Sequence, residues 1–182
     1  MQDWLAHLMY DVVQPYPNLR LFSEVRVRFG YYPVWKEGVI DVASPSELSD
    51  LCIGYLMKDP EFTEMANLDE IDQKTLILKL PEKTCIMPLV TINAKIRISQ
   101  GEFFDWQGRE TLMTKGNPHC LSTQVALRKE MDINIVEASQ AHDKWFLLGE
   151  GSETDVKPRR SQLERLLEVV SEHLQDRMEP NE

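Results

Sequence analysis

Residues 86–115, IMPLVTINAKIRISQGEFFDWQGRETLMTK, constrain the fold more than any other stretch of the chain. Their pattern predicts a long strand over 86–98, a short break, and a helix over 101–115. Strand side chains alternate between faces. That spacing puts Ile86, Val90, Ile92, Ala94, Ile96 and Ile98 on one face, and Asn93, Lys95 and Arg97 on the other. One face can then meet a core while Asn93 and Lys95 point together at a polar site.

The remaining elements follow from the same kind of reading. Trp4, Leu5, Leu8, Met9, Val12 and Val13 form a helical stripe that the Pro15-Tyr16-Pro17-Asn18 cluster ends. Over 20–29, Leu21, Val25, Val27 and Phe29 alternate with Glu24, Arg26 and Arg28, as in a half-buried strand. GVIDVAS, after a turn, reads as a second strand pairing with that first one. Ser44 and Pro45 suit the N-cap and first turn of a helix reaching about Lys58. A less regular helix from Asp59-Pro60 to about Ile71 and a strand over 75–80 come next. After the 101–115 helix, HCLST reads as a strand, QVALRKEMD as a helix, INIVEA as a strand and KWFLLGE as one more. Leu163, Leu166, Leu167, Val170 and Leu174 stripe a final helix.

This order predicts an α/β (α+β) fold, a mixed central sheet flanked by helices. Residues 1–150 form one core domain, and 151–182 carry an amphipathic helix packed on that core or on a partner.

The 182 residues suffice for one sizeable core. A net charge of -10 does not attract polyanions as a whole, so any nucleic-acid contact needs a local basic cleft. Cys52, Cys85 and Cys120 are widely spaced, without a C-x-x-C pair or zinc spacing, and read as free thiols of a reducing compartment. MQDWLAHLMYDVV lacks signal-peptide features, and no apolar run approaches the ~20 residues of a membrane span. A cytoplasmic protein is expected.

Asp41 in EGVID, Lys95 in TINAK and Glu110 in DWQGRET are the candidate catalytic residues. Two carboxylates, Asp41 and Glu110, can hold a divalent cation, Mg2+ or Mn2+, which polarises a phosphoryl oxygen. Lys95 beside them can orient the attacking water and stabilise developing negative charge.

These residues resemble the motif of the restriction-endonuclease-like PD-(D/E)xK nuclease superfamily, which places an Asp at the start of one strand and (D/E)xK on the next core strand. Asn93-Ala94-Lys95 stand at (D/E)xK, with Asn93 in place of the acid, and Ile40 stands where a proline usually precedes the Asp. The pattern is similar to type II enzymes in which a glutamate on the following helix replaces the strand acid, the place of Glu110 here. A softer likeness covers Ser122-Thr123-Gln124 and Glu130-Met131. The resemblance implies a Mg2+-dependent endonuclease on double-stranded DNA, acting as a homodimer, with Asn93, Arg97, Gln107 and Arg109 as DNA contacts.

Other readings stay open beside it. The chain can be a catalytically inactive nuclease-like scaffold or a regulatory module with a protein partner, or an unrelated regulator that dimerises through 159–178. Glu24 is a possible second metal ligand or a residue sitting among Arg26 and Arg28. Tyr31, Tyr32 and Trp35 can stack on bases or cap a core. His7, His119, His142 and His173 show no ligand spacing.

Overall fold

The computed structural model describes residues 2–28, 32–36, 39–43, 46–56, 78–79, 86–130, 134–135, 142–152 and 155–178. In chain order the elements are α1 (Gln2–Val13), β1 (Arg20–Arg28), β2 (Tyr32–Lys36), β3 (Val39–Ala43), β4 (Ser46–Leu56), β5 (Leu78–Lys79), β6 (Ile86–Ile98) and α2 (Gln100–Gly116). Then come β7 (Leu121–Lys129), a 3-10 turn (His142–Lys144), β8 (Trp145–Leu147), β9 (Gly149–Ser152), β10 (Asp155–Pro158) and α3 (Arg160–Arg177).

Six strands form one mixed sheet in the order β5-β1-β4-β6-β7-β8. β4 runs antiparallel to both β1 and β6, whereas β6, β7 and β8 run parallel. Parallel neighbours need a crossover, and α2 supplies it between β6 and β7. β2 with β3, and β9 with β10, form separate two-stranded ribbons.

Leu5, Met9 and Val13 of α1 recur every four residues and meet Leu166, Val170 and Leu174 of α3 over one sheet face. Leu21, Leu51, Ile53, Val90, Ile92, Val125 and Phe146 supply the sheet side of that cluster. The leucine stripe of α3 is therefore spent on the chain's own core. The opposite face carries α2: Met113 packs with Phe22 and Cys52, and Phe103 and Trp106 pack with Ile98, Ala126, Trp145 and Leu147.

The structure corrects several sequence expectations. Within the helix expected over 44–58, residues 46–56 form β4. Leu51, Cys52 and Ile53 are all buried, facing both layers, and a strand buried on both sides shows no alternation. Gly54 belongs to the same packing: a Cβ there would lie 2.3 Å from the Met87 carbonyl oxygen, at a register shift between β4 and β6. The helix expected over QVALRKEMD is the body of β7, which pairs with β6 from Val90–Leu121 to Ile98–Lys129. β3 pairs with β2 rather than with β1, whose antiparallel partner is β4. Asn134 and Ile135, expected in a strand, are helical. The expected helix over 60–71 lies outside the described residues.

Alternation also breaks inside two strands. The register shift at Gly54 sets Ile86 on the α2 side while Val90 and Ile92 face α1 and α3. Ile98 closes on the α2 side, and Ile96 is 60% exposed at the strand's far end. In β1, Leu21 joins the α1 side, yet Val25 and Val27 join Phe22 on the α2 side. Glu24 stands between them with φ 52°, a left-handed backbone that reorients the pleat.

Candidate active site

Backbone pairing between β4 and β6 ends at Leu51–Ile92. One step further along the same register, Asp50 stands across from Asn93. There the carboxylate replaces the backbone: Asp50 Oδ2 accepts the Ala94 N–H at 2.7 Å. Asp50 is half-buried, and the residue after Ala94 is Lys95, which is exposed.

The row continues on both sides. Asn93 pairs with Gln124 of β7, whose Nε2 donates to the Asn93 carbonyl at 3.0 Å from a buried side chain. On β1, Ser23–Leu51 and Val25–Ser49 bracket Glu24, which places it opposite Asp50. Glu24 is exposed and is the one described residue other than glycine with a positive φ. A left-handed non-glycine residue inside a strand costs of order 1–3 kcal/mol and tends to sit at functional sites. Glu24, Asp50, Asn93 and Gln124 thus cross four neighbouring strands in register, with Lys95 beside them.

The end of β6 leads straight into α2. Ser99 is its N-cap: Ser99 Oγ accepts the Glu102 N–H, and Glu102 Oε2 accepts the Ser99 N–H at 2.9 Å. Ser99's backbone and hydroxyl donors, and then the charges of Lys95 and Arg97, hold the Glu102 carboxyl below its usual range. The capping box fixes the angle at which α2 folds back, with Phe103, Trp106, Glu110 and Met113 facing the sheet.

Glu110 is 8% exposed, as a migrated acid would need to be. Its Oε1, however, accepts from Lys144 Nζ at 2.5 Å and from Thr114 Oγ1 at 2.9 Å. Lys144 lies in the turn before β8, so this ion pair joins α2 to the β8 edge of the sheet.

The other expected site residues disperse. Asp41 lies on β3, opposite Val34 of β2, and the β2–β3 ribbon is separate from the six-stranded sheet. Its carboxylate lies outside the described side chains. Arg97 pairs with Glu130 at 3.1 Å. Arg109 Nε donates to the Asp105 carbonyl at 3.4 Å on the exposed side of α2, and the Gln107 carbonyl accepts from Thr114's neighbour Thr111. Asn93 and Lys95 share one strand as read from the sequence, but the acid beside them is Asp50. Sequence reasoning missed Asp50 because it set Ser44 to Lys58 in a helix. The available signal was the short apolar run LCIGYL directly after Ser49-Asp50, of a length that suits a buried strand.

The donor set decides what a cation could use. Among the described residues, no three His, Cys, Asp or Glu side chains cluster to hold a metal ion. In donor chemistry, a half-buried carboxylate at Asp50 with a neutral amide at Asn93 across from it suits a hard cation such as Mg2+, which takes one or two carboxylates and completes its shell with water and substrate phosphate. Glu110 is already matched by Lys144.

No protein-family model matches the chain, and no curated protein does. Among solved structures, the chain is similar to the BbvCI restriction enzyme, described as a native A2B2 tetramer at low resolution. The TM-score is 0.56 at 12% identity, over 85% of this chain and 59% of that one. The present chain thus spans about three fifths of its length. The likeness is one of fold: a mixed sheet flanked by helices, of the restriction-endonuclease-like kind.

Proposed function

We propose that this chain is a nuclease that hydrolyses phosphodiester bonds in double-stranded DNA with Mg2+ or Mn2+, and that Asp50 takes the part expected of Asp41. The observation that carries this reading is the Asp50 carboxylate held against the Ala94 N–H at 2.7 Å, one residue before Lys95, on a restriction-endonuclease-like sheet. It restores the pattern that the motif resemblance implies, an Asp on one core strand beside x-x-Lys on the next.

Asp50 would hold the cation, with Asn93 lending a neutral oxygen. Bound there, the cation supplies Lewis-acid polarisation of a phosphate oxygen. Lys95, exposed at the rim, orients the attacking water and balances the negative charge that grows on the phosphoryl group. Gln124 holds the Asn93 carbonyl and so keeps β6 aligned at this row. Arg97, Gln107 and Arg109 lie on or near the strand end and the following helix, where they could meet phosphates or base edges. A homodimer would bring two such sites to the two strands of a duplex.

A second reading has its own support. Asn93 is neutral and Glu110 is matched by Lys144, which favours a nuclease fold that has kept its scaffold and serves as a protein-binding module. Conversion of supercoiled plasmid with Mg2+, Mn2+ or EDTA separates the two. Cation-dependent nicking that Asp50→Asn and Lys95→Met both abolish supports the nuclease. Nicking at background level, or indifferent to both changes, leaves the scaffold.

A further inference from the structure

We infer that the outer face of α2 is a docking surface for the α2 of a second copy of this chain, crossing antiparallel about a two-fold axis at Gly108. Residues of a helix advance 100° each. With Phe103, Trp106, Glu110 and Met113 turned inward, the opposite line holds Gly101, Phe104, Asp105, Gly108, Leu112 and Lys115.

Two large apolar side chains on that line face solvent, Phe104 at 48% and Leu112 at 55% exposure. A surface helix buries one apolar stripe, whereas α2 carries apolar residues on both faces, as helices covered on both sides do. Gly108 lies midway between the two, four residues from each. Among the described residues, a Cβ at Gly108 or at Gly101 would meet nothing within 4 Å, so packing between them does not call for either glycine. Glycine is the poorest helix former after proline. A bare notch between two exposed anchors suits the close approach of another backbone.

The occupant follows from charge. On that line the N-terminal half of α2 carries Asp105 and the C-terminal half carries Lys115. An antiparallel copy sets each acidic half against a basic half. The same rotation seats Phe104 of one protomer on Leu112 of its partner, and the reverse, as an isologous contact requires. This inference stands apart from the proposed chemistry, since it uses none of the residues at Asp50.

Sedimentation equilibrium of the full chain, with three variants, tests it. The unaltered chain is expected to dimerise. Gly108→Arg fills the notch and places like charge on the axis, and should raise the dissociation constant at least ~10-fold. Its melting temperature at low concentration should hold or rise, because arginine is the better helix former. Gly108→Cys should link two chains under a mild oxidant much faster than Arg160→Cys on α3. A chain that stays monomeric, leaving the face to an unlike partner or a duplex, overturns the inference. So does a dimer unmoved by Gly108→Arg, or a Gly108→Cys that links no faster than Arg160→Cys.

Discussion

Asp50 Oδ2 accepts the Ala94 N–H at 2.7 Å at the point where backbone pairing between β4 and β6 stops. A side chain there takes the place of a strand partner, which fixes a carboxylate one residue from Lys95 along the strand.

The first prediction concerns that carboxylate. Asp50→Asn keeps a hydrogen-bond acceptor for the Ala94 N–H but removes the charge. Plasmid cleavage should fall by at least ~100-fold with little change in melting temperature. Asp41→Ala, on the separate β2–β3 ribbon, should leave cleavage within a few-fold of the starting value. Loss of cleavage in Asp41→Ala with retention in Asp50→Asn would reverse the assignment.

Glu110 is expected to act through stability. Lys144→Met removes the cation that matches its buried carboxylate and keeps the Thr114 hydroxyl, and should cost about 1–3 kcal/mol in urea unfolding. Glu110→Gln should lower stability in the same direction, with cleavage reduced only in proportion to folded protein. A Glu110→Gln variant of full stability and no cleavage would instead make Glu110 the migrated acid.

Two glycines are predicted to tolerate no side chain. A Cβ on Gly54 would lie 2.3 Å from the Met87 oxygen, and one on Gly149 would lie 2.5 Å from the Leu127 oxygen. Both obstacles are strand backbone and cannot swing away. Gly54→Ala and Gly149→Ala should each destabilise by about 1–3 kcal/mol. Gly101→Ala, in open space, should stabilise the isolated chain slightly; thermal unfolding of the three variants provides the check.

The buried thiols set an alkaline limit. Burial pushes Cys120 up to about 12, and burial with the neighbouring Cys120 raises Cys52 well above its ordinary value. An unfolded thiol titrates near ~8.5. Above that pH the unfolded chain sheds protons that the native chain retains, so stability falls as pH rises toward 12 and is complete below ~8.5. The urea midpoint should therefore be lower at pH 9.5 than at pH 7.5, and Cys120→Ala should reduce the difference. Native Cys52 and Cys120 should also resist a thiol reagent until the chain unfolds.

What the sequence determined by itself was local. The strand over Ile86–Ile98, the capped helix after it and the leucine-striped α3 were legible because propensity, capping and period all lie within one segment. The mixed sheet followed from their order. HCLST was legible as the start of β7, but tertiary structure decided that residues 46–56 and 124–129 are strands, because segments buried on both faces offer a short apolar run and no period to read. It also decided that Asp50, forty-four residues from Ala94, is the acid that meets the Lys95 strand. Register between strands is set by which faces are buried, and no local pattern encodes it.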